Sequence, residues 1–188
     1  MSESTEMAML EAEDKMGKAL EVVREDMASI RTGRAHPSMF SKLEVDYYGA
    51  PTPLQQLASF QVQDARTVLI QPYDKSSMTA VEKALRDSDL GVNPSNDGVQ
   101  IRIVMPQLTE ERRRDYIKLA RSKGEDAKVS VRNIRRHTKD AIDKAVKDGD
   151  IGEDEGTRTE KELEALTKKH VDAIDDVLKH KEAELLEV

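Results

Sequence analysis

Proline placement constrains this chain more than any other feature. All six prolines of the 188 residues lie between Pro37 and Pro106. Five of the six aromatic residues lie between Phe40 and Tyr73. The flanks, about 1–30 and 107–188, contain no proline, and proline is what most strongly breaks helix interiors. Charged residues make up 36% of the chain and aromatics 3%. A chain so charged is either disordered or built of long helices that bury thin stripes, and periodicity separates the two.

The first flank predicts a helix over about Thr5–Ile30, with apolar positions at Met9, Met16, Leu20, Val23, Met27 and Ile30. From Met16 the steps alternate four and three, a coiled-coil-like seam. Glu13 interrupts it, so the N-terminal end is expected to fray or face water. The second flank predicts a helix from Thr109 as N-cap to about Lys147. Its seam is expected at Ile117, Ala120, Gly124, Ala127, Val131, Ile134, Thr138, Ala141 and Ala145, an unbroken alternation of three and four. The loop 149–156 ends it. A third helix follows to about Leu186, with Leu163, Leu166, His170, Ile174, Val177 and Leu185 inward and Lys181 a poor fit. Three such stripes can be buried only against one another.

The predicted fold class is therefore α+β in two domains. An elongated antiparallel three-helix bundle comes from 1–30 and 107–188, and a small β/α/β domain is inserted at 31–106. Strands are expected at 43–48, 67–71 and 99–104, the last with Val99, Ile101 and Ile103 alternating. Residues 49–53 read as a turn. A short helix, capped by Ser76 or Ser77, presents Met78, Val81 and Leu85 inward. The chain crosses between domains near Arg31, Thr32, Gly33 and Arg34 and again near Met105, Pro106 and Gln107. Gly33 tolerates unusual dihedrals, so these crossings form a hinge.

The net charge of −7 hides a sharp asymmetry. Residues 1–30 carry −5 and 140–188 carry −8, whereas 110–139 carry +6. Arg114, Lys118, Arg121, Lys128, Arg132, Arg135 and Lys139 recur at steps of three, four or seven, and Arg136 and Arg112 border them. Each lies just after a buried seam position, so together they form one cationic stripe along the second helix. Such a stripe can follow a phosphate backbone. Arginine suits phosphate geometry, and scarce aromatics disfavour single-strand stacking, so structured RNA is the expected ligand. The alternative is a protein-interaction bundle whose cations pair internally with the acidic helices.

Catalytic signals are missing. There is no GxxxxGK[ST], GxGxxG or HExxH sequence, no cysteine, and no sequence-level Ser/His/Asp grouping. Asp148–Gly152 lacks the ligands and glycine spacing of a calcium loop. No 18-residue apolar run exists, and the acidic N-terminus has no secretory core. A non-enzymatic cytoplasmic protein is expected, without a membrane partner. A hydrolase using carboxylates of the insert would need a paired acidic site.

Several collinear stretches resemble one family, bacterial ribosome recycling factor. They are IRTGRAHPSM (30–39), DYYGAPTPLQQLASF (46–60), VEKALRDSDLGVNP (81–94), LTEERRRDYIKLAR (108–121), VSVRNIRR (129–136) and KEAELLEV (181–188). The resemblance implies a monomeric factor with a three-helix bundle and a β/α/β domain joined by a flexible two-strand hinge. It implies no enzymatic activity and no cofactor of its own. It implies action after translation termination, with elongation factor G hydrolysing GTP, to split the ribosome. It further implies that the bundle lies on large-subunit ribosomal RNA. The family's ribosome-contacting arginines match Arg132 and Arg135, and its conserved hinge segment matches Arg31–Arg34.

Overall fold

The computed structural model describes residues 2–187. Its elements, in chain order, are α1 (Glu3–Ser29), β1 (Glu44–Tyr47), β2 (Ala50–Pro53), α2 (Leu54–Leu57), β3 (Ala58–Asp64), β4 (Thr67–Pro72), α3 (Met78–Arg86), β5 (Ser95–Asn96), β6 (Ile101–Val104), α4 (Glu110–Lys147) and α5 (Glu153–Leu186). The chain divides into two compact units. One joins the described residues up to Ile30 with those from Glu110 onward, and the other is Arg31–Thr109.

The first unit is the three-helix bundle, α1, α4 and α5 packing pairwise. A tight loop reverses α4 into α5, with Gly149 at φ 77°. Asp26 near the end of α1 approaches Lys123 early in α4, at 4.0 Å. Thr5, at the other end of α1, donates to the Glu155 carboxylate at the start of α5, 3.0 Å away. So α1 runs parallel to α5 and antiparallel to α4.

Three details differ from the periodicity argument. First, Glu13 does face water, but α1 continues through it to Glu3 without fraying. The Ser2 hydroxyl caps it by accepting from the Thr5 N–H, and Ala12 and Thr5 are buried where the pattern looked empty. Glu155 accepts from the Ser2 N–H and the Thr5 hydroxyl. The Ser2 N–H bond does most to hold its carboxyl below the usual range. The seam there uses small residues, which an apolar count overlooks. Second, Ala141 is exposed and Ile142 is buried. The α4 seam takes two successive steps of four at Ile134, Thr138 and Ile142, because a helix of 3.6 residues per turn drifts off a strict heptad. Third, α5 starts three residues before the expected loop ends, with Glu153, Asp154 and Glu155 in its first turn, where carboxylates suit the helix dipole. Lys181 is buried on the seam after all. Its stem packs while its Nζ reaches Glu184 at 3.4 Å.

The second unit holds a hairpin and a four-stranded antiparallel sheet of order β3-β4-β6-β5. Residues 49–53 are mostly strand, not turn: β2 pairs with β1 in the register Glu44↔Pro53 to Tyr47↔Ala50. Tyr48 (φ 51°) and Gly49 (φ 82°) make the reversal, a geometry that matches strand twist. β3 was not foreseen, because Gln61-Val62-Gln63-Asp64 alternates poorly and is largely exposed. Val99 is exposed, and the last strand starts only at Ile101. Ser77 sits at the N-cap of α3 without making a side-chain cap; its hydroxyl donates to the Asp74 carbonyl at 2.6 Å. Asp74 instead gathers the local donors. It accepts from Ser76, from Tyr47 at 3.1 Å and from Tyr48 at 3.2 Å, and these bonds, Ser76 foremost, hold its carboxyl low. Met78, Val81 and Leu85 face the core as expected, among Phe40, Leu54, Ile70, Ile101 and Ile103.

Glycine marks where the first unit's helices meet most closely. A Cβ on Gly156 would lie 2.6 Å from Val146 Cγ2, whereas one on Gly17, inside α1, would meet nothing within 4 Å. Gly156→Ala is expected to destabilise by about 1–3 kcal/mol through overpacking. Gly17→Ala should stabilise by up to about 1 kcal/mol. Thermal unfolding of both variants checks the contrast, and adding Val146→Ala should recover most of the first loss.

Candidate nucleic-acid interface

The cationic stripe is carried by α4, whose 38 residues span about 57 Å at 1.5 Å each. Its small seam residues Ala120, Gly124 and Ala127 are all buried, Ala120 completely. Gly124 would place a Cβ 3.3 Å from Leu178 Cδ2. Close helix approach therefore draws the flank of α4 against α5, and this proximity sorts the stripe into two sets.

One set is paired across to α5. Arg121 Nε donates to Glu182 at 2.6 Å. Lys128 Nζ lies 2.5 Å from Asp175 and 3.3 Å from Glu125. Arg135 donates to Glu164 at 2.7 Å. Lys139 lies 2.9 Å from Asp143 on its own helix and 3.4 Å from Glu160. The pairs differ in enclosure. Lys128 keeps 14% of its side chain exposed, Arg135 32%, Lys139 34% and Arg121 64%. The Asp175 hydrogen bond is the main reason the Lys128 ammonium is held above its ordinary value. For Lys139 the leading cause is Asp143.

The other set lies farther round the helix, away from the seam. Lys118, Arg132 and Arg136 are exposed and form no ion pair among the described residues. Arg114 pairs only with Glu110, one turn back on α4, and both stay largely in water. At 100° per residue, Lys118 and Arg136 point the same way, and Arg114 and Arg132 lie about 40° aside. The stripe is thus a free outer row beside a tethered inner row.

The tethering carboxylates Glu160, Glu164, Asp175 and Glu182 were not singled out in the sequence. Their spacing of 4, 11 and 7 was the available signal, since it repeats one helix face.

The residues expected at the hinge fall within the second unit. Arg31 donates to the Asp89 carbonyl. Gly33 adopts φ 78° beside Leu108. Arg34 and Thr32 are partly or largely exposed. Met105 is buried in that unit's core, its N–H donating to the Arg66 carbonyl at 2.7 Å and its carbonyl accepting from Arg66 Nε at 3.0 Å. Pro106 is exposed.

Fold and site together define a class: an α+β protein with a charged helical bundle, an inserted sheet unit and a cationic helix face. Among its described residues no helix is long and apolar enough to cross a membrane. The family model for ribosome recycling factor matches residues 23–186. The ribosome-recycling factor of Kineococcus radiotolerans is 68% identical over 180 residues, covering 96% of this chain and 97% of that one. That of Pseudarthrobacter chlorophenolicus is 64% identical over 183 residues, 97% of this chain and 99% of the other. A solution structure of the ribosome recycling factor superposes with a TM-score of 0.82 at 37% identity over 100% of both chains. A second similar structure comes from models of the T. thermophilus ribosome recycling factor and the E. coli elongation factor G bound to the E. coli post-termination complex. It has a TM-score of 0.68 at 41% identity, covering 98% of this chain and 100% of that one. The chain belongs to the ribosome recycling factor family, a family of non-enzymatic translation factors, and its function is ribosome recycling.

Lys128 and Lys118 provide an internal comparison. Lys128→Ala removes a nearly enclosed stem and two partners and should cost about 1 kcal/mol. Lys118→Ala should leave stability unchanged. Because Asp175 raises the Lys128 pKa, the Lys128 contribution is fully present below the ordinary lysine value. It fades only as alkaline pH passes the raised one. Thermal melts at neutral pH and above pH 11 (a value on the order of the lysine range) read both effects.

Proposed function

We propose that this chain recycles ribosomes after termination by laying the cationic flank of α4 on large-subunit ribosomal RNA. The observation that carries the reading is the outer row, Lys118, Arg132 and Arg136 with Arg114. These cations lie exposed along one helix and hold no carboxylate of another helix. Arg121, Lys128, Arg135 and Lys139 extend the same surface inward. An exposed ion pair is worth about 0.2–1 kcal/mol, so an array of phosphates can displace its carboxylate. Lys128, the most enclosed, contributes mainly through its charge.

The remaining steps are mechanical. Elongation factor G hydrolyses GTP and acts on the inserted unit, while this chain binds no nucleotide or other cofactor of its own. A bundle packed along its whole length bends little, so a push is delivered to the RNA contact without being absorbed. Movement is accommodated where the chain crosses between units, around Arg31, Thr32, Gly33 and Arg34 and around Met105 and Pro106. The left-handed φ of Gly33 and the exposure of Pro106 support this reading. The factor works as a cytoplasmic monomer. Family membership, and the post-termination complex in which a similar factor stands with elongation factor G, support the assignment of partners. A purely internal role for the cations is favoured by the four α4–α5 pairs, but it leaves the outer row without a purpose.

Arg132→Glu with Arg136→Glu should weaken binding to large subunits by about 10- to 100-fold while helicity and melting temperature stay nearly constant. Equal losses of binding and fold would make these arginines structural. Gly33→Pro, which forbids the observed φ, should reduce subunit splitting with elongation factor G and GTP far more than it reduces binding. Normal splitting would remove this crossing from the mechanism.

A further inference from the structure

The carboxylates of α5 form a row of their own. At 100° per residue Glu160, Glu164, Asp175 and Glu182 fall within about 60° of one another, and Arg121, Lys128, Arg135 and Lys139 within about 40° on α4. One acidic face therefore stands against one cationic face along much of the bundle. On the other flank of α4, Lys123 approaches Asp26 more loosely, at 4.0 Å.

Lys128 belongs to the packing, with two carboxylates and little exposure. The other three pairs are different. Arg121, Arg135 and Lys139 keep a third to two thirds of their side chains in water. Their partners Glu182, Glu164 and Glu160 are 24%, 54% and 41% exposed. These pairs can open without exposing a core.

We propose that Glu160, Glu164 and Glu182 are specificity-determining residues for RNA binding. Glu182 and Glu164 occupy Arg121 and Arg135, and Glu160 shares Lys139 with Asp143, in the free protein, so an isolated phosphate gains little by displacing one of them. The exchange replaces one anion by another. Only an RNA surface that presents several phosphates along the rod, while also meeting Lys118, Arg132 and Arg136, can take all three cations at once. Non-cognate RNA engages the outer row alone and binds weakly. The arrangement lets a cationic helix work in a cell full of RNA without being titrated by it. This inference rests on the α4–RNA reading above.

The test compares two variants with equal charge change. One is Glu160→Gln with Glu164→Gln and Glu182→Gln. The other is Glu162→Gln with Asp172→Asn and Asp176→Asn, which are exposed α5 carboxylates paired with no α4 cation. Each is titrated with a random-sequence RNA duplex of about 20 base pairs and with purified large subunits, between about 50 and 200 mM salt. The first variant should bind the duplex about tenfold more tightly than the unmodified protein. Its salt slope should be steeper by about 2, and its preference for large subunits over duplex should fall. The control should change duplex affinity less than about threefold. Equal gains in both variants, or none in the first, would overturn the proposal. Single Glu164→Gln, at the most exposed of the three carboxylates, reads the same effect if the triple variant melts early. Arg132→Glu with Arg136→Glu on large subunits separates the two levels. If it loses no affinity, the α4–RNA reading itself fails. If it loses affinity while the Glu variants gain none on duplex, only the gating role fails.

Discussion

Each of the three long helices carries a stripe too narrow to be stable alone, and their mutual burial, of large side chains such as Met16, Leu163, Ile174 and Leu185 between small ones, is what the rest of the molecule depends on. Ala12, Ala120, Gly124, Ala127, Gly156 and Thr159 are all buried in that seam. Small residues bury little area each, so the bundle gains from proximity: closely spaced backbones let many weak dispersion contacts accumulate. The same proximity brings the flanks of α4 and α5 within reach of each other's charges. The ion-pair rows are a consequence of small-residue packing, and replacing the seam with larger side chains would push those rows apart.

That geometry gives α4 two functions on one helix. Its seam makes it the central strut, and its flank makes it the charged surface. The tethered inner row holds its guanidinium and ammonium groups in defined places. The outer row keeps its freedom and its full field. The whole chain carries a net charge of −7, so on the proposed reading the α4 flank must work against long-range repulsion and acts at close approach, within about a Debye length of 8–10 Å.

Much of this was legible in the amino-acid sequence, and the gaps have physical causes. Proline confinement located the insert, and the absence of proline located the three helices. The stripe was visible because lysine and arginine recur at helical spacing. The pairing of Arg121, Lys128, Arg135 and Lys139 was not visible, because it depends on the register between α4 and α5, which no local pattern states. The burial at the N-terminal end of α1 was not visible because Thr5 and Ala12 bury without being strongly apolar. Ile142 was displaced from its expected neighbour Ala141 by the drift of a real helix against a seven-residue repeat. In the insert, β3 escaped notice because an exposed edge strand needs no apolar alternation, and β2 because Pro51 and Pro53 read as turn residues although an edge strand tolerates them.

The most direct measurement is the salt dependence of binding to purified large subunits. If α4 replaces counterions on about four phosphates, the logarithm of the binding constant should fall against the logarithm of salt concentration with a slope near −3. That slope should shrink by one to two units when Arg132 and Arg136 are both neutralised to Gln. A flat response, or a slope indifferent to those two arginines, would mean that protein contacts or another surface hold the factor in place.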